Sequence, residues 1–322
     1  MKKVDSEQWT VGRRQNGQGL GIVRSDSLRL LPTPHSPLPT LHSRGGMTLA
    51  ELLISMAILS MMSVVLAGMS NAVNSAWSYT KGVEETDLQA QAALERIEYM
   101  VSQTGTYKLT GQATRAGMTV VTRTVGKNQL PDVLVLWTGG RSGGMATSGV
   151  QTRLPTVGEL LIYTWDASAQ ANLIEVAFPG QTASFDFAAS DLATQVTNLL
   201  NVKTAEIIPL CAQLRVSSLN STSTSSSTTS TTSSSKTQSV GNLRFILTQS
   251  PSDTELASAT PQTTAWTKLN WPQGMFGNRW GMRQATVQIE LQVEPDGIAR
   301  ASDTVTAIPF FGSASLRYVY EP

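Results

Sequence analysis

Histidine and cysteine are almost missing from this 322-residue chain. Both histidines, His35 and His42, fall within the first 46 residues, so nothing after Gly46 carries an imidazole. That region therefore has no histidine for general acid–base work, no Ser–His or Cys–His pair and no His-ligated metal. Cys211 stands alone, which excludes an intrachain disulfide and a thiolate metal site. A net charge of +1 gives no electrostatic footprint for nucleic acid. Charge is also missing locally: from Leu52 to Thr80 no residue is ionisable as Asp, Glu, Lys or Arg. Paired carboxylates could still run glycoside chemistry, but the acids fall on a helix face or in alternating strands. Glu290, Glu294 and Asp296 come nearest to a calcium cluster, yet no loop has dense oxygen-ligand spacing, and they read as a solvated strand face and turn. The composition points away from an enzyme and implies no cofactor and no metal.

What charge there is divides unevenly. Residues 1–46 hold seven basic and three acidic side chains, leaving 17 of 24 basic and 20 of 23 acidic residues after them, a balance of −3. The first segment does not read as a fold. Pro32, Pro34, Pro37 and Pro39 break any helix among scattered Gly, Ser, Gln and Arg. It is either a leader or tail without fixed structure, or sequence upstream of the true start codon. An ordinary secretory signal would place its apolar stretch before the cleavage site; here the stretch follows.

That stretch runs from Leu49 to Gly68. Twenty residues at ~1.5 Å each cover ~30 Å, the hydrocarbon thickness of a bilayer. Basic residues precede it and Glu84, Glu85 and Asp87 outnumber Lys81 after it. The positive-inside rule then keeps residues 1–46 in the cytoplasm and exports the remainder. Glu51 is the anomaly, because a carboxylate near the end of a membrane span is costly unless it is paired or lies at headgroup depth. A cut after Gly46 would give Met47 a free amine, and the amine of one subunit could then meet Glu51 of the next.

Gly46-Met47-Thr48-Leu49-Ala50-Glu51-Leu52-Leu53 resembles the processing motif of type IV pilins and type II secretion pseudopilins. The resemblance implies cleavage by a prepilin peptidase between Gly46 and Met47, N-methylation of Met47, and an assembly role for Glu51. It also implies a single-pass protein of the bacterial inner membrane, with a periplasmic C-terminal domain and other pilins or pseudopilins as partners. Met47 stands where the family prefers Phe, and Ala50 where it has Ile or Val. The expected function is a minor pilin or pseudopilin subunit. The alternative is a membrane-anchored adhesin or DNA-uptake module with pilin-type processing, although Arg and Lys are too dispersed to form a basic stripe.

The expected fold is α+β, with a leader over 1–46, a transmembrane and then amphipathic helix over 47–104, and an antiparallel β-rich domain over 105–322. Val83, Leu88, Ala92, Ile97 and Met100/Val101 recur at helical spacing, with Glu84, Glu85, Asp87, Glu95, Arg96 and Glu98 on a solvated surface. Gly68 is a soft point or a close-packing position. Strands are predicted at Met118–Val125, Asp132–Thr138, Glu159–Trp165, Asn172–Phe178, Asn242–Thr248, Gln284–Val293, Asp303–Phe311 and Ser315–Tyr320, with a short helix at Ser190–Lys203. The glycine cluster Gly139–Gly144 reads as a flexible hairpin loop; it lacks the Gly-Lys-Ser/Thr ending of a phosphate loop. The Ser/Thr-rich tract 217–239 reads as a disordered insertion, passive or glycosylated. Trp266, Trp271, Phe276 and Trp280 either pin an irregular loop to the core or form a binding surface. The layout and length are similar to minor pseudopilin J of type II secretion and minor pilin W of type IV pili.

Overall fold

The computed structural model describes residues 47–125, 127–223, 234–295 and 307–322. The expected leader, Gly46 included, lies outside them, as does most of the turn begun by Pro295. The chain divides into two units, Met1–Met62 and Ser63–Pro322. Helix α1 covers Leu49–Ser102. No proline interrupts it, and Ser55 and Ser60 return their hydroxyls to the carbonyls of Glu51 and Ala57.

Helix α1 is followed by β1 (Thr106–Tyr107), β2 (Arg115–Ala116), β3 (Met118–Val125), β4 (Asn128–Trp137), β5 (Val150–Gln151), β6 (Leu160–Trp165) and β7 (Leu173–Ala177). Then come α2 (Leu192–Leu200), β8 (Glu206–Cys211), β9 (Val216–Ser223), β10 (Ser234–Gly241) and β11 (Leu243–Ser250). Helices α3 (Asp253–Ser258) and α4 (Thr264–Thr267) precede β12 (Gly281–Val293) and β13 (Ile308–Tyr320). Strands β3-β4-β6-β7-β8 form a five-stranded antiparallel sheet, and β11-β12-β13 a three-stranded antiparallel one. β9 and β10 pair as a separate ladder; β1 joins β2 antiparallel and β5 parallel.

The five-stranded sheet is covered on both faces. Leu134, Leu136, Leu161 and Tyr163 face a core shared with α1 and the three-stranded sheet, while Val133, Val135, Trp137, Leu160 and Ile162 face a second core under α2. This is why β4 and β6 read as near-continuous apolar runs. β12 alternates instead: Ala285, Val287, Ile289, Leu291 and Val293 are buried in the shared core.

The helix stripe differs from the expected one. The buried residues of α1 are Gly82, Thr86, Ala90, Ala93, Leu94, Ile97, Met100 and Val101, while Leu88 and Ala92 face out. Side-chain size decides it, since small residues let the sheets approach the helix axis. A side chain at Gly312 of β13 would stand 3.1 Å from Leu94 Cδ2 and 2.7 Å from Glu98 Oε1. Nor are the charges of α1 all solvated. Arg96 Nε donates to the Glu175 carboxylate of β7 at 2.9 Å, and Glu98 Oε1 accepts the Ser313 N–H at 2.9 Å. Glu175 is 1% exposed; Tyr163 Oη also donates to it, and Arg141 Nε lies 3.4 Å away. The glycine cluster thus carries Arg141 back onto the sheet, where its Nη1 also meets Glu206 at 3.0 Å.

Two further expectations are corrected. Val216–Ser223 and Ser234–Gly241, at the two ends of the Ser/Thr tract, pair residue for residue in place of a disordered insertion; residues 224–233 lie outside the described ones. The ladder uses backbone donors and acceptors, which a core-poor sequence still has. β13 runs unbroken from Ile308 to Tyr320 where two strands were expected, because Gly312 pairs with Ile289 in register.

Removing Arg96 would leave a buried carboxylate short of its closest cation. Arg96→Ala is expected to cost about 2–3 kcal/mol in denaturant unfolding, most of which Arg96→Met combined with Glu175→Met restores. Arg153, bonded to Glu159 at 2.5 Å, is the main reason the Glu159 carboxyl falls to about 2 from the ordinary 4.5. A depressed carboxyl contributes stability that is full above its unfolded value and is lost as pH falls through the folded one. Acid unfolding should show this loss between pH 4.5 and about 2, and Glu159→Gln should flatten that limb.

Candidate functional site: the start of the N-terminal helix

The first turn of α1 is built from Met47 to Leu52. An α-helix begins with four N–H groups that lack intrahelical acceptors. Here Thr48 and Glu51 supply acceptors for two of these, their own, to each other. Thr48 N–H donates to Glu51 Oε2 at 2.9 Å, and Glu51 N–H donates to Thr48 Oγ1 at 3.3 Å. The Thr48 hydroxyl also reaches Glu51 Oε2 at 3.1 Å, and Leu52 N–H closes the turn on the Thr48 carbonyl. This reciprocal pair is a capping box. The Thr-x-x-Glu spacing was legible in the sequence, and reading Glu51 only as an unpaired membrane acid missed it.

The cap changes what Glu51 requires. Its charge sits on the first helical turn, where the helix dipole favours an anion. Both protein contacts of the carboxylate fall on Oε2, leaving Oε1 without a hydrogen bond among the described residues. Met47, the residue just before the cap, is 66% exposed. Leu49, Leu52, Leu53, Ile54, Met56, Ile58, Leu59, Met61 and Met62 are likewise exposed large apolar side chains. Further along α1, Val64, Val65, Leu66 and Met69 continue the exposed run. The helix is long and apolar enough to cross a membrane, and its most apolar window has no residue buried by the protein. Among the described residues, nothing beyond the adjoining helix backbone comes within 4 Å of a side chain built at Gly68.

The other residues singled out in the sequence do not converge. Glu290 lies 3.8 Å from Arg244 and Glu294 3.6 Å from Arg215, so each faces a cation and they do not face each other; Asp296 is outside the described residues. Among the described residues no group of three metal-ligating side chains comes together. Trp266 and Trp271 are buried in their own cluster, with Phe276 and Trp280 partly exposed. Cys211 is buried on β8, and burial raises its thiol pKa, so the thiolate is disfavoured.

Residues 41–67 match the family model described as the prokaryotic N-terminal methylation motif. No curated protein and no solved structure gives a significant match. The chain thus carries a prepilin-type N-terminal motif on a long helix whose C-terminal part packs against antiparallel sheets, the α+β arrangement of a pilin-like protein. Such a motif implies inner-membrane anchoring and processing by a prepilin peptidase.

Removing the Thr48 hydroxyl unmakes half of the capping box. Thr48→Ala in detergent-solubilised protein is expected to loosen the first turn by ~1 kcal/mol, read as about fivefold faster amide exchange near residues 50–52, while Thr48→Ser keeps the wild-type rate.

Proposed function

We propose that this chain is a minor pilin or pseudopilin subunit. A prepilin peptidase cuts it between Gly46 and Met47 and the new Met47 amine is methylated. The subunit then leaves the inner membrane to join a short periplasmic filament of a type II secretion or type IV pilus system. The observation that carries this reading is the methylation motif over residues 41–67 set at the start of a membrane-length helix with Glu51 in its first turn.

The physical logic follows from what the cut creates. Before it, the Met47 nitrogen is a neutral amide; after it, that nitrogen is a cation beside an apolar helix. Glu51 Oε1 is free to accept from such an amine, its own or a neighbour's, while Oε2 keeps the cap. In an apolar bundle both charges are costly alone and are strongly attracted to each other. The exposed apolar side chains from Leu49 onward need lipid in the membrane form and other helices in the filament form. The basic leader, whose last cation is Arg44, favours a cytoplasmic start and a periplasmic β domain. A β domain spanning 105–322 is bulky for a repeating shaft subunit, which favours a minor position near the tip.

Mass spectrometry of the membrane-extracted protein is expected to return a chain that begins at N-methyl-Met47; an intact leader would remove this reading. Glu51→Ala should leave cleavage unchanged and lower incorporation into the sheared filament fraction at least ~10-fold, equivalent to the loss of about 1.4 kcal/mol of pairing. Normal incorporation of that variant would refute the pairing role.

A further inference from the structure

We propose that the cleft where β2, the start of β3 and α3 meet the ends of β12 and β13 is a binding site for a carboxylate group, independent of the N-terminal helix. The cleft holds about 720 Å³, within the range of small-ligand pockets of roughly 300–1,000 Å³. Its polar wall is made by Arg115, Gln249, Asp253, Arg283, Tyr318 and Tyr320, with Phe187 and Leu247 supplying apolar surface.

Three features of this wall go beyond what the fold requires. Arg283 is 3% exposed, a depth at which Arg is rare unless it is paired. Its Nε donates to the Pro251 carbonyl at 2.8 Å and its Nη2 to Asp253 Oδ1 at 2.7 Å, and the guanidinium lies 5.6 Å from the Tyr320 ring centroid. Asp253, the only acid paired with it among the described residues, has a side chain 82% exposed on the rim. The buried cation is therefore balanced by a solvated anion that a ligand can supplement or displace. Second, the exposed Arg115 of β2 lines the cleft and makes no ion pair among the described residues, so its charge is open to a ligand. Third, the Tyr318 hydroxyl is buried without a hydrogen-bond partner. Burial raises its pKa; the neighbouring Arg283 guanidinium opposes that shift without meeting hydrogen-bond geometry. An orphaned buried hydroxyl costs stability, and here it belongs to a residue that lines a cavity.

Charge and shape select the ligand class. Arg115 and Arg283 against Asp253 leave one excess positive charge, which suits a monoanion. The first turn of α3 carries Asp253 and Glu255, which disfavours a dianionic phosphate at that edge. A guanidinium fork matches a carboxylate, and the apolar wall takes the carbon skeleton behind it. Either a small organic acid or the C-terminal carboxylate of a peptide presents this chemistry.

Trp266 and Trp271 have ring centroids 6.3 and 6.5 Å from that of Tyr320, so tryptophan fluorescence reports on the cleft. The full chain in detergent is titrated with propionate, with N-acetyl-Leu-Ala as the free acid, with the same dipeptide as its amide, and with inorganic phosphate. Saturable quenching by propionate or by the free acid, with no response to the amide or to phosphate, is expected; whichever acid binds names the source. Arg115→Gln should weaken that binding at least ~10-fold, as should Tyr318→Phe, as for a lost charge-assisted hydrogen bond. Lys127→Gln, which removes the same charge elsewhere on the surface, should leave it unchanged. Tyr318→Phe should also raise the Tm of the unliganded protein, the opposite of a packing defect. Equal binding of the amide, tighter binding of phosphate, no saturable response to either acid, or an equal effect of Arg115→Gln and Lys127→Gln would each overturn the proposal.

Discussion

The packing of α1 against the sheets depends on one carboxylate that has no water to turn to. Glu175 on β7 is almost wholly buried, and it is held by Arg96 from the helix, Tyr163 from β6 and Arg141 from the glycine-rich loop. A lone buried carboxylate would cost several kcal/mol. The helix therefore cannot slide or rotate on the sheet without taking Arg96 away from it. Apolar packing from Ala90 to Val101 supplies the area, but methyl and methylene contacts do not specify register by themselves. The ion pair supplies direction, and the Glu98 carboxylate against the Ser313 N–H repeats the arrangement at β13.

The start of the same helix meets a different constraint. There no residue of the most apolar window is buried among the described residues, and large apolar side chains are exposed along it. Backbone donors in such surroundings must be satisfied within the helix, and the Thr48–Glu51 box satisfies two of those in the first turn. The stretch that matches the methylation motif is thus also a helix cap. Glu51 has two oxygens and uses one for its own helix, which leaves the other without a hydrogen bond among the described residues.

Much of this was legible beforehand because it is local. The membrane-length run, the Gly46–Met47–Glu51 pattern and the strand at Met118–Val125 follow from spacing within a few residues, and β3 has the same bounds. The alternation from Ala285 to Val293 places β12 in the core. The buried face of α1 was not legible in the same way. Periodicity marks large apolar residues, and the sheet selected small ones at Gly82, Ala90 and Ala93 instead. Trp271 shows the same effect: its ring covers Gly281, where an added side chain would stand 2.3 Å from it. The roles of Arg96 and Glu98 were hidden as well, because a charged residue on a helix looks solvated until its partner, 79 or 215 positions away, is known.

Sequence alone determined the parts of this protein whose chemistry is written in consecutive residues. These are a basic segment before a motif, an acid inside an apolar run, a region after Gly46 without histidine, and strands that follow a long helix. Their physics is short-range: hydrogen bonds within a turn and hydrophobic thickness along one segment. Only the tertiary structure decided which face of α1 is buried, that the ends of the Ser/Thr tract form a ladder, and that Arg115, Arg283 and Tyr318 line one cleft. Those outcomes rest on pairings between distant segments, where burial and charge act only once the chain has brought them together.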